Sequence, residues 1–373
     1  MENAVDPRAL PTRVNQPPAR VNPALHPKAR ERSFSERHLT TSHPMPLLRS
    51  MAGPLLAVAL FVFCGALQAQ PLPSWNDGPS KQQILKFVAD VTTPGSSAFV
   101  PAEERIAVFD NDGTLWSEQP LYFQFVFLLD QLKAAAPKHP EWKDNAAFKA
   151  LVAKDQKSLA AMGMKPVLQL LAVANAGMTV AQYEQSIRDW LKTAKHPRFG
   201  RPHTDLVYKP MQELLAHLRS NGFKTFIVSG GGIEFMRVWV GEAYGIPPEQ
   251  VVGSIAEVKY GLVDGKPALT RLPKVAFVDD GPGKPVGIYR AIGRRPIFAF
   301  GNSDGDWQML QWTAAGAGPR FMGLVHHTDA AREYAYDRGS KVGKLDKAWD
   351  DAVAKGWTVV DMKSEWNKVF PHE

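Results

Sequence analysis

From about position 101 the chain alternates between short apolar runs and longer stretches of mixed polarity. The run 106–109 (IAVF) has no polar member, the pattern of a strand buried on both faces of a parallel sheet. The stretch from about 121 to 190 reads as helical. Within it, LYFQFVFLLDQL is apolar on nearly every side and predicts a buried helix. KPVLQLLAVANAG is bracketed by a proline near its start and Gly177 at its end, and TVAQYEQSIRDWLKTA opens on Thr179 as an N-cap. HPRFGRPHTD then reads as a Pro/Gly-rich linker.

Alternation resumes beyond the linker. The pattern predicts a helix over 209–220, an Asn-Gly turn at 221–222, a strand over 223–228 and a helix over about 232–244. VDGK, inside VVGSIAEVKYGLVDGKPALT, is a hairpin signal. Strands at 275–278, 296–300 and 321–325 and helices at 285–292 and 306–312 complete the order. Strands alternating with helices predict an α/β fold with a doubly wound, mostly parallel, Rossmann-like sheet. Its core would come from 70–115 and 205–373, with 116–204 as a helical block inserted after the first strand. No internal repeat is present.

Composition changes this picture only at the N-terminus. The 373 residues are 45% hydrophobic and 22% charged, a globular balance. Of the net charge of +7, residues 1–69 supply +4 through eight basic and four acidic residues, which leaves +3 for the rest. The positive charge is therefore no nucleic-acid footprint, which needs basic residues clustered on a folded face. Residues 1–44 are rich in Pro and Arg without hydrophobic periodicity, and disorder is expected there. Arg49 precedes an apolar stretch, 55–67, that ends in small residues, the layout of a cleaved export signal ending at about Ala69. The expected location is periplasmic or secreted, with membrane contact only through this segment if it is uncleaved. The single cysteine, Cys64, lies inside it, so a cleaved chain has no thiol chemistry.

In open α/β sheets ligands bind beyond the carboxyl ends of the strands. Polar residues gather there after each predicted strand. Asp110 and Asp112 follow the first, Ser229 and three glycines the second, and Asn302, Ser303, Asp304 and Asp306 follow PIFAFG, while Lys284 precedes a helix. Each set suits phosphate chemistry. A carboxylate attacks phosphorus to form an aspartyl-phosphate, and a second one two residues on protonates the leaving oxygen and then activates water. A glycine-rich helix entry offers backbone N–H groups to an anion. Candidate phosphate contacts are Gly113, Thr114, Ser229, Gly230 and Lys284. Clustered carboxylate and amide oxygens suit Mg²⁺, for which Asp110, Asp112, Asn302, Asp304 and Asp306 are the candidate ligands. Such an ion also offsets the repulsion between the paired carboxylates.

DNDGT after a strand, VSG after a later strand, a lysine beyond it and GNSDGD after another strand together resemble the four motifs of haloacid dehalogenase-like hydrolases. The resemblance covers roughly 101–330. It implies Asp110 as nucleophile, Asp112 as general acid/base, and Ser229 and Lys284 as holders of the phosphoryl group. The second aspartate favours phosphatases over dehalogenases, and the insertion resembles the family's helical cap in its phosphoserine-phosphatase-type branch. One departure stands out, because Asn302 occupies a position often held by a metal-binding aspartate. The implied activity is Mg²⁺-dependent hydrolysis of a small phosphorylated metabolite. Phosphotransfer to an alcohol through the same intermediate, and plain binding of a phosphorylated ligand, are the alternatives.

Other polar residues carry weaker signals. His326 and His327 are adjacent and point to opposite faces of a strand, so they do not chelate one ion together; one of them, or Asp329, is a candidate for the site's periphery. Asp279 and Asp280 end a strand and read as a polar turn or as site residues. Trp116, Glu118 and Tyr122 suit a cationic substrate group, against a plainer reading as cap packing.

Overall fold

The structure, a computed structural model, describes residues 71–373 other than Lys154 and Gly163. The predicted disordered extension and apolar leader, with Cys64, lie outside the described residues. Alternate residues of β1 (Ile106–Phe109) divide between two cores. Ala107 and Phe109 pack with Ile227, Phe298 and Phe300 on one face, and Ile106 and Val108 with Phe226, Val228 and Ala299 on the other. Successive strand side chains point opposite ways, so a central strand needs apolar partners on both sides. That requirement explains why IAVF has no polar position.

Helix α1 (Pro79–Thr92) precedes β1, and five helices follow it: α2 (Phe123–Ala135), α3 (Ala146–Val152), α4 (Gln156–Met162), α5 (Met164–Ala174) and α6 (Val180–Thr193). They enclose a small apolar cluster of their own, including Leu132, Trp142, Leu151 and Leu170. Thr179 caps α6 in a full capping box with Gln182, as its position predicts. The chain then forms α7 (Lys209–Ser220), β2 (Lys224–Gly232), α8 (Ile233–Arg237), α9 (Val240–Tyr244), β3 (Val251–Val263) and β4 (Lys266–Phe277). It continues through α10 (Gly283–Ala291), β5 (Phe298–Gly301), α11 (Trp307–Ala314), β6 (Phe321–Thr328), β7 (Ala335–Tyr336), α12 (Lys347–Lys355), β8 (Thr358–Asp361) and α13 (Met362–Glu365).

The sheet runs β4-β3-β2-β1-β5-β6-β7, with β8 also on β6. The pairs β1/β2, β2/β3, β1/β5, β5/β6 and β6/β8 are parallel, while β3/β4 and β6/β7 are antiparallel. The chain builds outward from β1 through β2 to β3, then returns to build β5 and β6 on the other side. The order reverses between β1 and β5, and at such a point the strand ends open into a crevice.

Three expectations are corrected. The run 275–278 is not a separate parallel strand but belongs largely to the long β4 arm of a hairpin with β3. The expected helix over 232–244 is two short helices, because β2 continues through its glycines to Gly232. LYFQFVFLLDQL is only partly buried: Phe123, Phe127 and Leu132 enter the interior, whereas Phe125 and Leu128 face a cavity. Among the described residues no helix is long and apolar enough to cross a membrane.

Candidate active site

A cavity of about 390 Å³ opens at the β1/β5 reversal. Its floor carries Asp110, Asp112, Ser229, Gly230, Lys284 and Asp306, and its roof comes from α2, α5 and the residue after α5, through Phe125, Leu128, Leu171 and Asn175. The β3–β4 hairpin supplies a side wall that includes Ile255, Leu272 and Val275. On the far wall, the Arg271 guanidinium pairs with Glu234 at 2.5 Å and lies 3.8 Å over the Tyr183 ring.

Lys284, near the start of α10, is 1% exposed. Its ammonium donates to Asp110 Oδ1 (2.6 Å), Asp306 Oδ1 (2.6 Å) and the Val228 carbonyl (2.9 Å), which uses all three N–H bonds. Burial alone lowers an ammonium pKa, but the two carboxylates outweigh it and hold Lys284 above its ordinary value. Burial pushes Asp110 well up, the charge of Asp306 adds to this, and Lys284 opposes it. Burial likewise raises Asp112 to about 6, against a hydrogen bond from Trp116 Nε1 (2.8 Å). Asp306 completes the floor, since its Oδ2 accepts from the backbone N–H groups of Asn302 (2.9 Å) and Ser303 (3.0 Å). Its carboxylate thereby joins the β5 loop to Lys284.

Asp110, Asp112, Ser229, Gly230, Lys284 and Asp306 therefore meet on the floor of one cavity. Four other candidates do not reach the cavity wall. Gly113 (φ 73°) donates its N–H to the Trp116 carbonyl, and Thr114 donates its N–H to Asn111 and its hydroxyl to Asn302. The tight turn consumes the donors that were expected to hold phosphate. Asn302 is 1% exposed behind the loop, where its Nδ2 donates to Glu118 Oε1 at 2.7 Å. Asp304 turns away, and its Oδ1 accepts from the backbone of Asp346 and Ala348 (both 3.0 Å) at the start of α12. Two of the three glycines after Ser229 are also committed, because Gly231 N–H donates to Ser229 Oγ and Gly232 N–H to Gln124 Oε1 of the roof.

Glu118 is 1% exposed and reaches the cavity wall. Its Oε1 accepts from Asn302 and from the Tyr336 hydroxyl (2.8 Å), and burial, then Asp112, push its pKa well up. Its proximity to Asp112 was not legible, because Tyr336 and Asn302 are brought to it by distant segments. Trp116 packs against Trp239 with ring centres 4.0 Å apart, the plainer reading, yet its indole also serves Asp112. Tyr122 lies on the cavity wall and its hydroxyl accepts from the Gly343 N–H (3.2 Å). His326 faces Asp337 and Trp349, whereas His327 faces inward to the Gly113 carbonyl. Asp329 accepts from the backbone N–H groups of Ala331 and Arg332 and stays in its own turn. Asp280 lines the cavity, but Asp279 is buried beneath α10.

A parallel sheet with paired aspartates at the end of β1, a lysine on the first of them and an inserted helical roof defines a hydrolase of the α/β class that works at strand ends. Residues 107–311, more than half of the chain, match the family of haloacid dehalogenase-like hydrolases, and the chain belongs to that family. No curated protein matches it. Among solved structures it is similar to a protein of unknown function from Bordetella pertussis Tohama I, with 15% identity over 69% of this chain and 99% of that one and a TM-score of 0.44. It is also similar to a probable phosphoserine phosphatase from Vibrio cholerae, with 16% identity over 67% and 62% of the chains and a TM-score of 0.37. A third likeness is a phosphoserine phosphohydrolase-like protein from Francisella tularensis subsp. tularensis SCHU S4, with 19% identity over 60% and 87% and a TM-score of 0.33.

Proposed function

We propose that the protein is a Mg²⁺-dependent phosphomonoesterase that passes the phosphoryl group of a small metabolite through Asp110. The observation that carries this reading is the floor of the cavity: Asp110 under the Lys284 ammonium, with Asp112 beside it raised to about 6. In the first step an Asp110 oxygen attacks phosphorus, the P–O bond to the alcohol breaks, and Asp112 gives its proton to the departing oxygen. In the second, Asp112 takes a proton from water, the water oxygen attacks the aspartyl-phosphate phosphorus, and Asp110 and inorganic phosphate are released. Lys284 and the Ser229 hydroxyl face the charge on the transferring oxygens.

The donors present fit a hard cation. Asp112 and Glu118 have no cationic side-chain partner among the described residues, and Lys284 alone serves both Asp110 and Asp306. Among those residues no three His, Cys, Asp or Glu side chains converge to hold an ion by themselves. Mg²⁺ suits that arrangement, because it commonly takes one or two carboxylates and keeps several waters. Asp110 and the Asp112 carbonyl are its proposed protein ligands. When bound, the ion supplies positive charge that draws the phosphate and lowers the repulsion among these groups.

Asp110→Asn tests the reading. Release of phosphate from a phosphometabolite panel, with Mg²⁺ or with EDTA, is expected to require both Asp110 and the metal. Substantial turnover by the variant, deamidation excluded, would overturn it. Export is part of the same proposal, supported by Arg49 and the apolar stretch after it. N-terminal sequencing of exported protein is expected to begin near Gln70, and recovery of the intact N-terminus in soluble cytosol would refute export.

A further inference from the structure

Beneath the loop that carries Asp112 lies a second polar cluster, outside the proposed reaction steps. His327, on β6, is 2% exposed and Glu333 is 0% exposed. His327 Nε2 is 2.7 Å from the Gly113 carbonyl, and Nδ1 is 3.2 Å from Glu333 Oε2. A carbonyl oxygen only accepts, so Nε2 carries a proton. Glu333 Oε1 receives the Ser117 hydroxyl (2.5 Å) and the Tyr208 hydroxyl (3.3 Å), and Oε2 also receives the Tyr334 N–H (2.6 Å). With the Nδ1 contact these make four hydrogen bonds around the two oxygens of Glu333. One proton joins Nδ1 to Oε2, and another joins Nε2 to the Gly113 carbonyl.

We propose that His327 and Glu333 act as a positioning pair for the catalytic loop. His327 grips the carbonyl of Gly113, the residue after Asp112, while Glu333 grips Ser117 four residues further on. The turn between them needs holding. Gly113 sits in the left-handed region at φ 73°, and a Cβ there would meet Asn302 Nδ2 at 2.1 Å and Glu118 Oε1 at 2.4 Å. The pair is itself anchored from outside the loop. Arg198 donates to the Glu333, Ala330 and Ala331 carbonyls, and the Tyr336 ring stacks on His327 with centres 4.3 Å apart. The loop is thus fixed by elements far along the chain, and Asp112 is held where Trp116 and the floor of the cavity meet it. This role rests on the reading of Asp112 as the acid/base.

Two measurements separate the proposal from that reading. The first needs no turnover: nitrogen-15 NMR of histidine side chains in the full protein, with His327→Gln identifying the signal. A protonated Nε2 with a slowly exchanging proton is expected on His327. A bare Nε2 would overturn the pair even in an active enzyme. The second is kinetic. A misplaced catalytic group costs up to about 10²-fold in rate, so His327→Gln and Glu333→Gln are each expected to lower kcat by roughly 10- to 100-fold with KM nearly unchanged. Unchanged kcat in folded variants would overturn the positioning role. If neither variant folds, Ser117→Ala, which removes one of the four hydrogen bonds on Glu333, takes their place. A kcat reduced several-fold at constant KM supports the pair, and a wild-type kcat refutes it. An inactive wild type that still shows the protected Nε2 proton would count against the phosphatase reading and not against the pair.

Discussion

Asp279 offers a direct measurement of how the buried charge under the site affects the fold. It is fully buried, its backbone N–H donates to Ser254 Oγ at 3.0 Å, and neither carboxyl oxygen has a hydrogen-bond partner among the described residues. Gly287 of α10 lies so close that a Cβ there would fall 2.2 Å from Asp279 Oδ1. Burial raises the carboxyl from 3.8 to about 7, with the Lys284 charge opposing. The folded protein therefore holds this proton over a pH range in which the unfolded chain has released it. A raised carboxyl pKa gives stability that is fully present below the unfolded value and lost as pH climbs through the folded one. At about 1.36 kcal/mol per pH unit, the loss between pH 3.8 and 7 comes to roughly 4 kcal/mol. Asp279→Asn removes the titration while keeping the shape. The amide still buries unmade hydrogen bonds worth about 1–3 kcal/mol, so its net gain at pH 8 is expected to be roughly 1–3 kcal/mol. Urea unfolding of both proteins at pH 4 and pH 8 isolates the effect, because other titrating groups cancel in the difference. The variant is expected to gain on the wild type as pH rises. An equal difference at the two pH values would refute the reasoning.

Three further substitutions test neighbouring parts. Lys284→Met leaves Asp110 and Asp306 buried without their cation; it is expected to abolish turnover and to cost about 3–5 kcal/mol in denaturant unfolding, so a fold of wild-type stability would contradict the pairing. Asp304→Ala removes acceptors at the start of α12, which should cost about 0.5–2 kcal/mol of stability with kcat unchanged, and a large kcat loss would return Asp304 to the site. Asn302→Asp sets a second carboxylate where the amide now donates to Glu118; the melting temperature in EDTA is expected to fall and to recover with Mg²⁺, and identical values in both conditions would show that no metal binds near this corner.

The residues with chemistry were legible where local rules place them. Asp110, Asp112 and Ser229 each end or follow an apolar run, and a parallel sheet carries such ends to one edge, so finding the strands locates the floor. Lys284 is legible as the opening of a helix beside that edge. The failures come from atoms whose partners lie far along the chain or in the turn itself. Gly113 and Thr114 have suitable donors, but the turn around Asn111 uses them. Asp304 and Asp306 are two residues apart in one short helical turn, and opposite orientations send one to α12 and the other to Lys284. Glu118, Glu333 and Tyr336 gain meaning only from β6 and the loop after it. Helix α12 and strand β8 fall outside the predicted elements, although β8 completes the parallel pairing beside β6.

The roof is stitched to the hairpin by main-chain bonds: Gly177 N–H to the Arg271 carbonyl and Arg271 N–H to the Met178 carbonyl, both 2.9 Å. A seam of this kind is indifferent to most side chains around it. Residues that line the cavity from α2 and β4, such as Phe125, Leu128 and Leu272, take no part in that join. The join that sets the height of the roof and the side chains that shape the space beneath it are thus separate features of the chain, so exchanging one of those bulky residues reshapes the space and leaves the main-chain seam as it is.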